Sequence, residues 1–250
     1  QNQSSAASDV YKRQLYGIGE MRDKNRNFLK GIYVNHEYAK EFYKDWIVRV
    51  YIPDNENSRI IEKLKNLENL EIVIVHTNIC LRAIRFLPYD DKEVDIWISR
   101  DLDSILNERE KVAVEDWIKR SERLHIMADN RHHLWNIAGG MFGLKNDHKL
   151  NFVQNVIRLS TLHDNQNHFA IDCLIADSFF FENYKDDYIQ HYGNGLRLEK
   201  NVPFPKHERI ESKFVGNIVN MEVYFNKLKK KYSIDDKIRL FNLDLHISVI

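Results

Sequence analysis

Residues 94–104 read Val-Asp-Ile-Trp-Ile-Ser-Arg-Asp-Leu-Asp-Ser, an apolar, β-prone run that stops at two aspartates with one residue between them. Side chains alternate faces along an extended chain, so the spacing predicts that Asp101 and Asp103 point the same way. Two carboxylates converging at the end of a buried strand are costly unless a positive charge neutralises them. A divalent cation does this, and such hard oxygen ligands suit Mg²⁺ or Mn²⁺, which keep positions open for phosphate oxygens. The expected chemistry is a metal-bridged nucleotide diphosphate. Spacing alone leaves a second reading open, a capped turn before a helix over 108–120.

Other residues could serve the same chemistry. Arg85, in Arg-Phe-Leu-Pro, precedes the aspartate strand. Its guanidinium suits Asp101 or a phosphate, and equally a structural ion pair. His125, Asp129, His132 and His133 form a polar group whose spacing matches no standard zinc motif. They are expected in a loop at the sheet edge that touches substrate, or in a solvated loop with hydrogen-bonded histidines. Gly139-Gly140 lets a sugar ring approach the backbone, or marks a bulge. Asp164, Asp172 and Asp177 lie near a helical stretch and read as surface charges, so no catalytic base is assigned among them.

The elements that must hold these residues follow from periodicity. Leu29, Ile32, Tyr33, His36, Ala39 and Phe42 give a helix over 26–43. Trp46 to Ile52 is a strand stopped by Pro53, and 57–67 is a second helix. Leu70 to Val75 is a short apolar strand, Val94 to Ser99 the next, and Leu124 to Met127 another. Helices are expected at 108–120, 149–160, 166–177 and 221–231, with a last strand at 240–250. Strands alternating with helices imply βαβ units and a largely parallel sheet. In such sheets ligands bind outside the carboxyl ends of strands, which is where the aspartates fall.

Composition sets the bounds. The chain has 250 residues, 43% hydrophobic and 30% charged, enough for one large α/β domain. Thirty-seven basic and thirty-seven acidic residues cancel, so no global field argues for nucleic acid or an anionic membrane. No apolar stretch approaches the roughly 20 residues that span a bilayer. Cys80 and Cys173 are the only cysteines, which favours buried thiols, a reducing compartment and a cytoplasmic location. Residues 1–14 carry little apolar patterning. Ser4 to Gln14 is similar to translated adapter sequence, so 1–14 is expected to be a disordered or non-native tail and 15–250 the domain.

Taken in order, the motifs resemble a family of GT-A type glycosyltransferases found in bacteria, algae and large viruses. The resemblance runs from Leu15-Tyr16-Gly17 through Asn35, Ala39-Lys40-Glu41-Phe42-Tyr43, Trp46 and Arg49-Val50-Tyr51. It continues with Arg85-Phe86-Leu87-Pro88, Arg100-Asp101-Leu102-Asp103-Ser104, Arg109-Glu110, Ala113-Val114 and Trp117. His125-Ile126-Met127, Asp129, His133, Gly139-Gly140-Met141-Phe142-Gly143, Pro203-Phe204-Pro205 and Phe214-Val215-Gly216 complete it.

The resemblance implies a GT-A fold with a mostly parallel central sheet flanked by helices. It implies a hexosyltransferase-like enzyme that uses Mn²⁺ (or Mg²⁺) and a nucleotide-sugar donor, with UDP the expected nucleotide. The acceptor would be a glycan, protein or lipid. Asp101 and Asp103 would hold the metal and diphosphate, with Arg85 adding electrostatic help. Tyr16, Gly17 and Arg100 would lie with Asp101 at the nucleotide, and Asp129, His133, Gly139 and Gly140 would line the donor sugar. The chain departs from the family around Asp129, where it has Ala128, Asn130 and Arg131. A later His-Asp pair corresponds to Phe181-Glu182, of which only Glu182 can ligate metal, and an Asp-Gln pair corresponds to Asn165-Gln166. These departures give the alternative of a catalytically weak or inactive nucleotide-sugar-binding module. A phosphohydrolase built on the aspartate and histidine groups is a third reading.

Overall fold

Trp97 and Ile98 are adjacent, fully buried and packed into different hydrophobic clusters. Tyr51 likewise enters one cluster while Val50 and Ile52 enter the other. Alternate residues of these strands therefore face two separate cores, one on each side of a sheet covered on both faces. That double burial is why the strands read as continuous apolar runs. The computed structural model describes residues 13–15, 28–53, 61–62, 64–76, 81–156, 171–205 and 214–231.

The strands are β1 (Arg13–Leu15), β2 (Ile47–Pro53), β3 (Leu70–Val75), β4 (Ile96–Arg100), β5 (Leu124–Asp129), β6 (Met141–Lys145), β7 (Tyr188–Asn194) and β8 (Asn201–Pro203). They form one sheet in the order β3-β2-β1-β4-β6-β5-β7-β8. β6 runs antiparallel to both β4 and β5, and the remaining pairs are parallel. Among the described helices are α1 (Phe28–Phe42), α2 (Glu108–Ile118), α3 (Ile171–Ile175) and α4 (Met221–Lys231), and 152–156 is helical as well. A 3-10 helix spans Leu81–Tyr89, and α3 continues as a π-helix over Ala176–Phe181 and a helical turn at Glu182–Tyr184. The fold is thus α/β, a mostly parallel central sheet flanked by helices.

Local chemistry sets the element ends. Asn107 caps α2 by accepting a hydrogen bond from the Glu110 amide at 2.9 Å, and Glu108 and Glu110 place negative charge in its first turn. Ala113, Val114 and Trp117 form its buried face.

The order of strands fixes where a ligand can enter. The chain builds outward from β1 through β2 to β3, then returns to place β4 on the other side of β1. The carboxyl ends of β1 and β4 therefore flank a topological switch point, where open α/β sheets leave a crevice. The amino end of antiparallel β6 lies on this same edge, because Met141 pairs with Arg100.

Three expectations need correction. Arg13 and Gln14, assigned above to the tail, lie in β1 and pair with β2 and β4. A parallel ladder is made by backbone groups and accepts almost any side chain. β7 and β8 were not foreseen. Strand β4 stops at Arg100, so Asp101 and Asp103 lie beyond the extended chain and the expectation that they share one face does not hold. Tyr16, Gly17, Asn165, Gln166, Cys80, residues 57–60 and 63 of the helix expected at 57–67, and the strand expected at 240–250 lie outside the described residues.

Candidate functional site

Beyond Arg100 the chain turns back on itself. The Ser104 amide and hydroxyl both donate to the Asp101 carbonyl, at 3.3 and 3.0 Å. Asn35 of α1 clamps this turn, donating to the Ser104 carbonyl at 2.9 Å and accepting from the Leu106 amide at 3.2 Å. On its other side the Val219 amide donates to the Asp103 carbonyl at 2.9 Å. The alternation rule for extended chain does not apply to Asp101 and Asp103, and their environments differ. The Asp101 side chain is 39% exposed, whereas Asp103 is 4% exposed.

The charge that neutralises this corner comes from the protein. Arg85, held in the 3-10 helix, donates from Nη1 to Asp101 Oδ1 at 2.5 Å and lies 3.8 Å from Asp172 Oδ2. Burial pulls the Arg85 pKa down, but Asp101, Asp172 and Asp103 outweigh it and hold the guanidinium charged. Asp172, on the first turn of α3, is pushed above the usual carboxylate range by burial, with Asp101 adding to the rise and Arg85 opposing it. Burial lifts its neighbour Cys173 to about 12, which leaves a neutral thiol.

Gly139 and Gly140 close the cluster. A Cβ on Gly139 would lie 2.7 Å from Asp172 Oδ2, and one on Gly140 would overlap the Asp101 carboxylate. Only glycine lets this backbone pass so close to both acids. Ser99 of β4 donates to the Gly139 carbonyl at 2.6 Å, and Asp177 accepts from the Ile137 amide at 2.8 Å. The glycine segment is therefore strapped to the sheet on one side and to the π-helix on the other. π-Helical turns within helices recur at functional sites.

The structure engages the other expected residues in contacts within the protein. Arg100 was expected at the nucleotide, but it is 1% exposed. It pairs with Glu110 at 2.6 Å and donates to the Ser99 and Phe142 carbonyls, so it braces the interior. Asp129 was expected at the donor sugar. It is fully buried, gripped by Arg109 through two bonds of 2.9 Å and by the Val215 amide at 3.0 Å, which ties β5 to the segment after 214. His133 accepts from the Asp129 amide at 3.1 Å and so shapes the turn after β5. His125 is separate from that turn: it is buried in β5, stacked on Trp117 and bonded to His191 at 2.8 Å. The expected histidine group is therefore not one cluster.

Glu182 was expected to complete a metal shell. Its side chain is 62% exposed and pairs with Lys185. Among the described residues no three His, Cys, Asp or Glu side chains come together as a metal site. The acid that the fold does bring to Asp101 is Asp172, which the sequence presented as one of three surface charges. A hard cation of the Mg²⁺ kind needs only one or two protein carboxylates when it shares phosphate oxygens and water. Asp101 meets that need, since it is partly exposed and its Oδ2 has no hydrogen bond among the described residues. The donor set fits an ion that arrives with a phosphate, not a cage built from protein alone.

No protein-family model matches this chain, and no curated protein matches it. Two similar solved structures are 4-diphosphocytidyl-2C-methyl-D-erythritol synthase from Anaerococcus prevotii and a cytidylyltransferase from Leptospira borgpetersenii. The first has 11% identity and a TM-score of 0.43, over 88% of this chain and 100% of that one. The second has 12% identity and a TM-score of 0.39, over 93% of this chain and 96% of that one. Likeness at this level assigns no activity. Among the described residues no helix is long and apolar enough to cross a membrane.

Proposed function

We propose that this chain is a metal-dependent glycosyltransferase of the GT-A kind, moving a sugar from a nucleoside diphosphate, UDP first, to a glycan, protein or lipid acceptor. The observation that carries the reading is the Asp101–Arg85–Asp172 cluster packed on Gly139-Gly140 at the switch point of the sheet. Acids, a permanent cation and bare backbone at one strand end suit a ligand with a diphosphate and a sugar.

In this reading Asp101, with Asp103 behind it in the same turn, would hold a Mn²⁺ or Mg²⁺ ion together with the diphosphate. When bound, that ion supplies Lewis-acid stabilisation of charge on the departing diphosphate. Arg85, already oriented by Asp101 and Asp172, would add a fixed positive charge to the same site. Gly139 and Gly140 let the donor sugar lie against backbone, and Asp172 borders that position from a desolvated site. By the resemblance, Tyr16 and Gly17 would meet the nucleotide. Arg100, Asp129 and His133 act on geometry, by fixing the strand ends and the turn after β5.

A nucleotide-sugar-binding module without turnover is favoured by one feature. The Phe181 ring packs on Tyr188 at 5.5 Å where the resemblance expects a metal-ligating histidine. The two readings part on Asp103→Ala, assayed for release of UDP from UDP-sugars with Mn²⁺. The transferase reading expects metal-dependent turnover in the parent chain and none in the variant. Equal rates in both would remove it, and binding without turnover in the parent chain would leave the module.

A further inference from the structure

One guanidinium nitrogen faces both acids of the candidate site, and it serves them unequally. Arg85 Nη1 is 2.5 Å from Asp101 Oδ1 and 3.8 Å from Asp172 Oδ2. The first contact is a hydrogen bond. The second is an ion pair that stops short of one, since N–H···O bonds close at about 3.2 Å or less. A further approach of about 1 Å or less would complete it.

The guanidinium is also incompletely paired. Arginine presents a fork of N–H donors, and the buried Nε of Arg85 has no hydrogen-bond partner among the described residues. The side chain is only 9% exposed, and a donor left over at that depth calls for an explanation. Asp172 poses the same question from the other side. It is a buried carboxylate that accepts no side-chain hydrogen bond among the described residues.

The acids are held in place from behind. The Asp101 carboxylate lies against Gly140 and Asp172 Oδ2 against Gly139. The Ile137 amide ties the glycine segment to Asp177, on the helix that carries Asp172. The long Arg85 side chain between them is the part with freedom to shift. Arg85 and a divalent cation would draw on the same Asp101 carboxylate. Were Asp101 the sole acid in reach, its loss would strand a buried guanidinium, and that cost would oppose ion binding. Asp172 removes the cost.

We propose that Arg85 is a displaceable counter-ion of Asp101, and that Asp172 is the positioning residue that receives it when Asp101 is given over to a divalent cation. The proposal rests on the metal–diphosphate reading of this site and adds how the site exchanges one positive charge for another. Seated on Asp172, the guanidinium stays in the cluster and keeps its charge there.

Calorimetric titration of the full chain with Mn²⁺, UDP present throughout, tests this on Arg85→Met, Asp172→Asn and the double variant. Arg85→Met removes the competitor and should tighten Mn²⁺ binding by about tenfold. Asp172→Asn removes the receiver and should weaken it by about tenfold. In the Arg85→Met background the same Asp172→Asn change should cost about twofold or less, because no guanidinium is left to receive. Equal weakening in both backgrounds would reduce Asp172 to a charge acting through space and overturn the proposal. Unchanged or weaker Mn²⁺ binding in folded Arg85→Met would overturn it as well. A crystal structure of the parent chain with Mg²⁺ and UDP keeps the test open if Arg85→Met does not fold. It should show Arg85 within about 3.2 Å of Asp172 and withdrawn from Asp101; Arg85 still bonded to Asp101 with the ion bound would overturn the proposal. A parent chain that binds no Mn²⁺ would remove the metal reading and this proposal together, whereas binding with the wrong variant pattern removes this proposal alone.

Discussion

Arg85 Nη1 lies 2.5 Å from Asp101 Oδ1, so the acid that opens the Asp-x-Asp sequence is paired inside the protein before any ligand arrives. The same guanidinium is 3.8 Å from Asp172, far along the chain on α3. One cation therefore organises two acids from different elements at the switch point of the sheet. Its removal has consequences for both stability and chemistry.

Arg85→Met should destabilise the protein by about 3 kcal/mol, since it leaves Asp172 desolvated without its cation. Adding Asp172→Asn in the same chain should restore a substantial part of that loss. Equilibrium urea unfolding of the single and double variants measures both effects. Additive losses in the double variant would show that Arg85 and Asp172 are not coupled.

Gly140→Ala should spare the fold and disable the site. The new Cβ meets the Asp101 carboxylate, a side-chain end that can swing away, and meets no backbone among its nearest contacts. Stability should fall by about 1 kcal/mol or less, while any response to metal and nucleotide disappears. A variant that unfolds outright, or one that keeps the full nucleotide response, would contradict the close packing described.

Asp129→Asn should be costly without touching substrate. It removes the charge facing buried Arg109 and weakens the acceptor of the Val215 amide. The expected loss is about 3 kcal/mol or more. Limited proteolysis should then cut first in the segment that begins at Phe214, because Asp129 anchors it.

These contacts also show what the residues disclosed and what they withheld. β3 and α2 were legible because each carries an apolar pattern, and α2 also has a capping asparagine. β7 was not, because its centre holds Gln190 and His191, polar residues that are nonetheless fully buried. Gln190 is satisfied by the Leu196 carbonyl and the Leu198 amide, at 2.9 and 2.8 Å, so burial leaves no trace in its hydropathy. Asp101, Arg85 and the glycine pair each stand in a local motif, and the fold brings them together. Asp172 stands in a plain helical stretch, and only the fold brings it to Arg85. Arg100 and Asp129 looked like ligands because buried ion pairs use the same residue types as binding sites.

The buried histidines give the protein a defined acid sensitivity. His125 and His191 are joined at 2.8 Å, and His191 lies 3.1 Å from Asp116. Burial pulls His191 from 6.5 to about 4, with Asp116 opposing, while Arg120 and Arg109 add to the fall. Burial and His191 also hold His125 well below its ordinary value, helped by Arg100, Lys145 and Arg120. An imidazole kept neutral in the fold but protonated in the unfolded chain contributes stability that is full above pH 6.5 and is lost as pH falls toward 4. The His191 contribution is on the order of 3 kcal/mol. Unfolding free energy followed by urea titration across that window should drop, and His191→Gln should flatten the slope.

The most direct test of the central claim is thermal stability in the presence of UDP, GDP and their sugars, each with Mn²⁺ or with chelator. A nucleotide that binds only the native state must raise the melting temperature. A rise with one nucleotide that requires Mn²⁺, and that vanishes in Asp101→Asn, is the expected result. No rise with any nucleotide, or a rise indifferent to metal and to Asp101, would contradict a metal–diphosphate site at the end of β4.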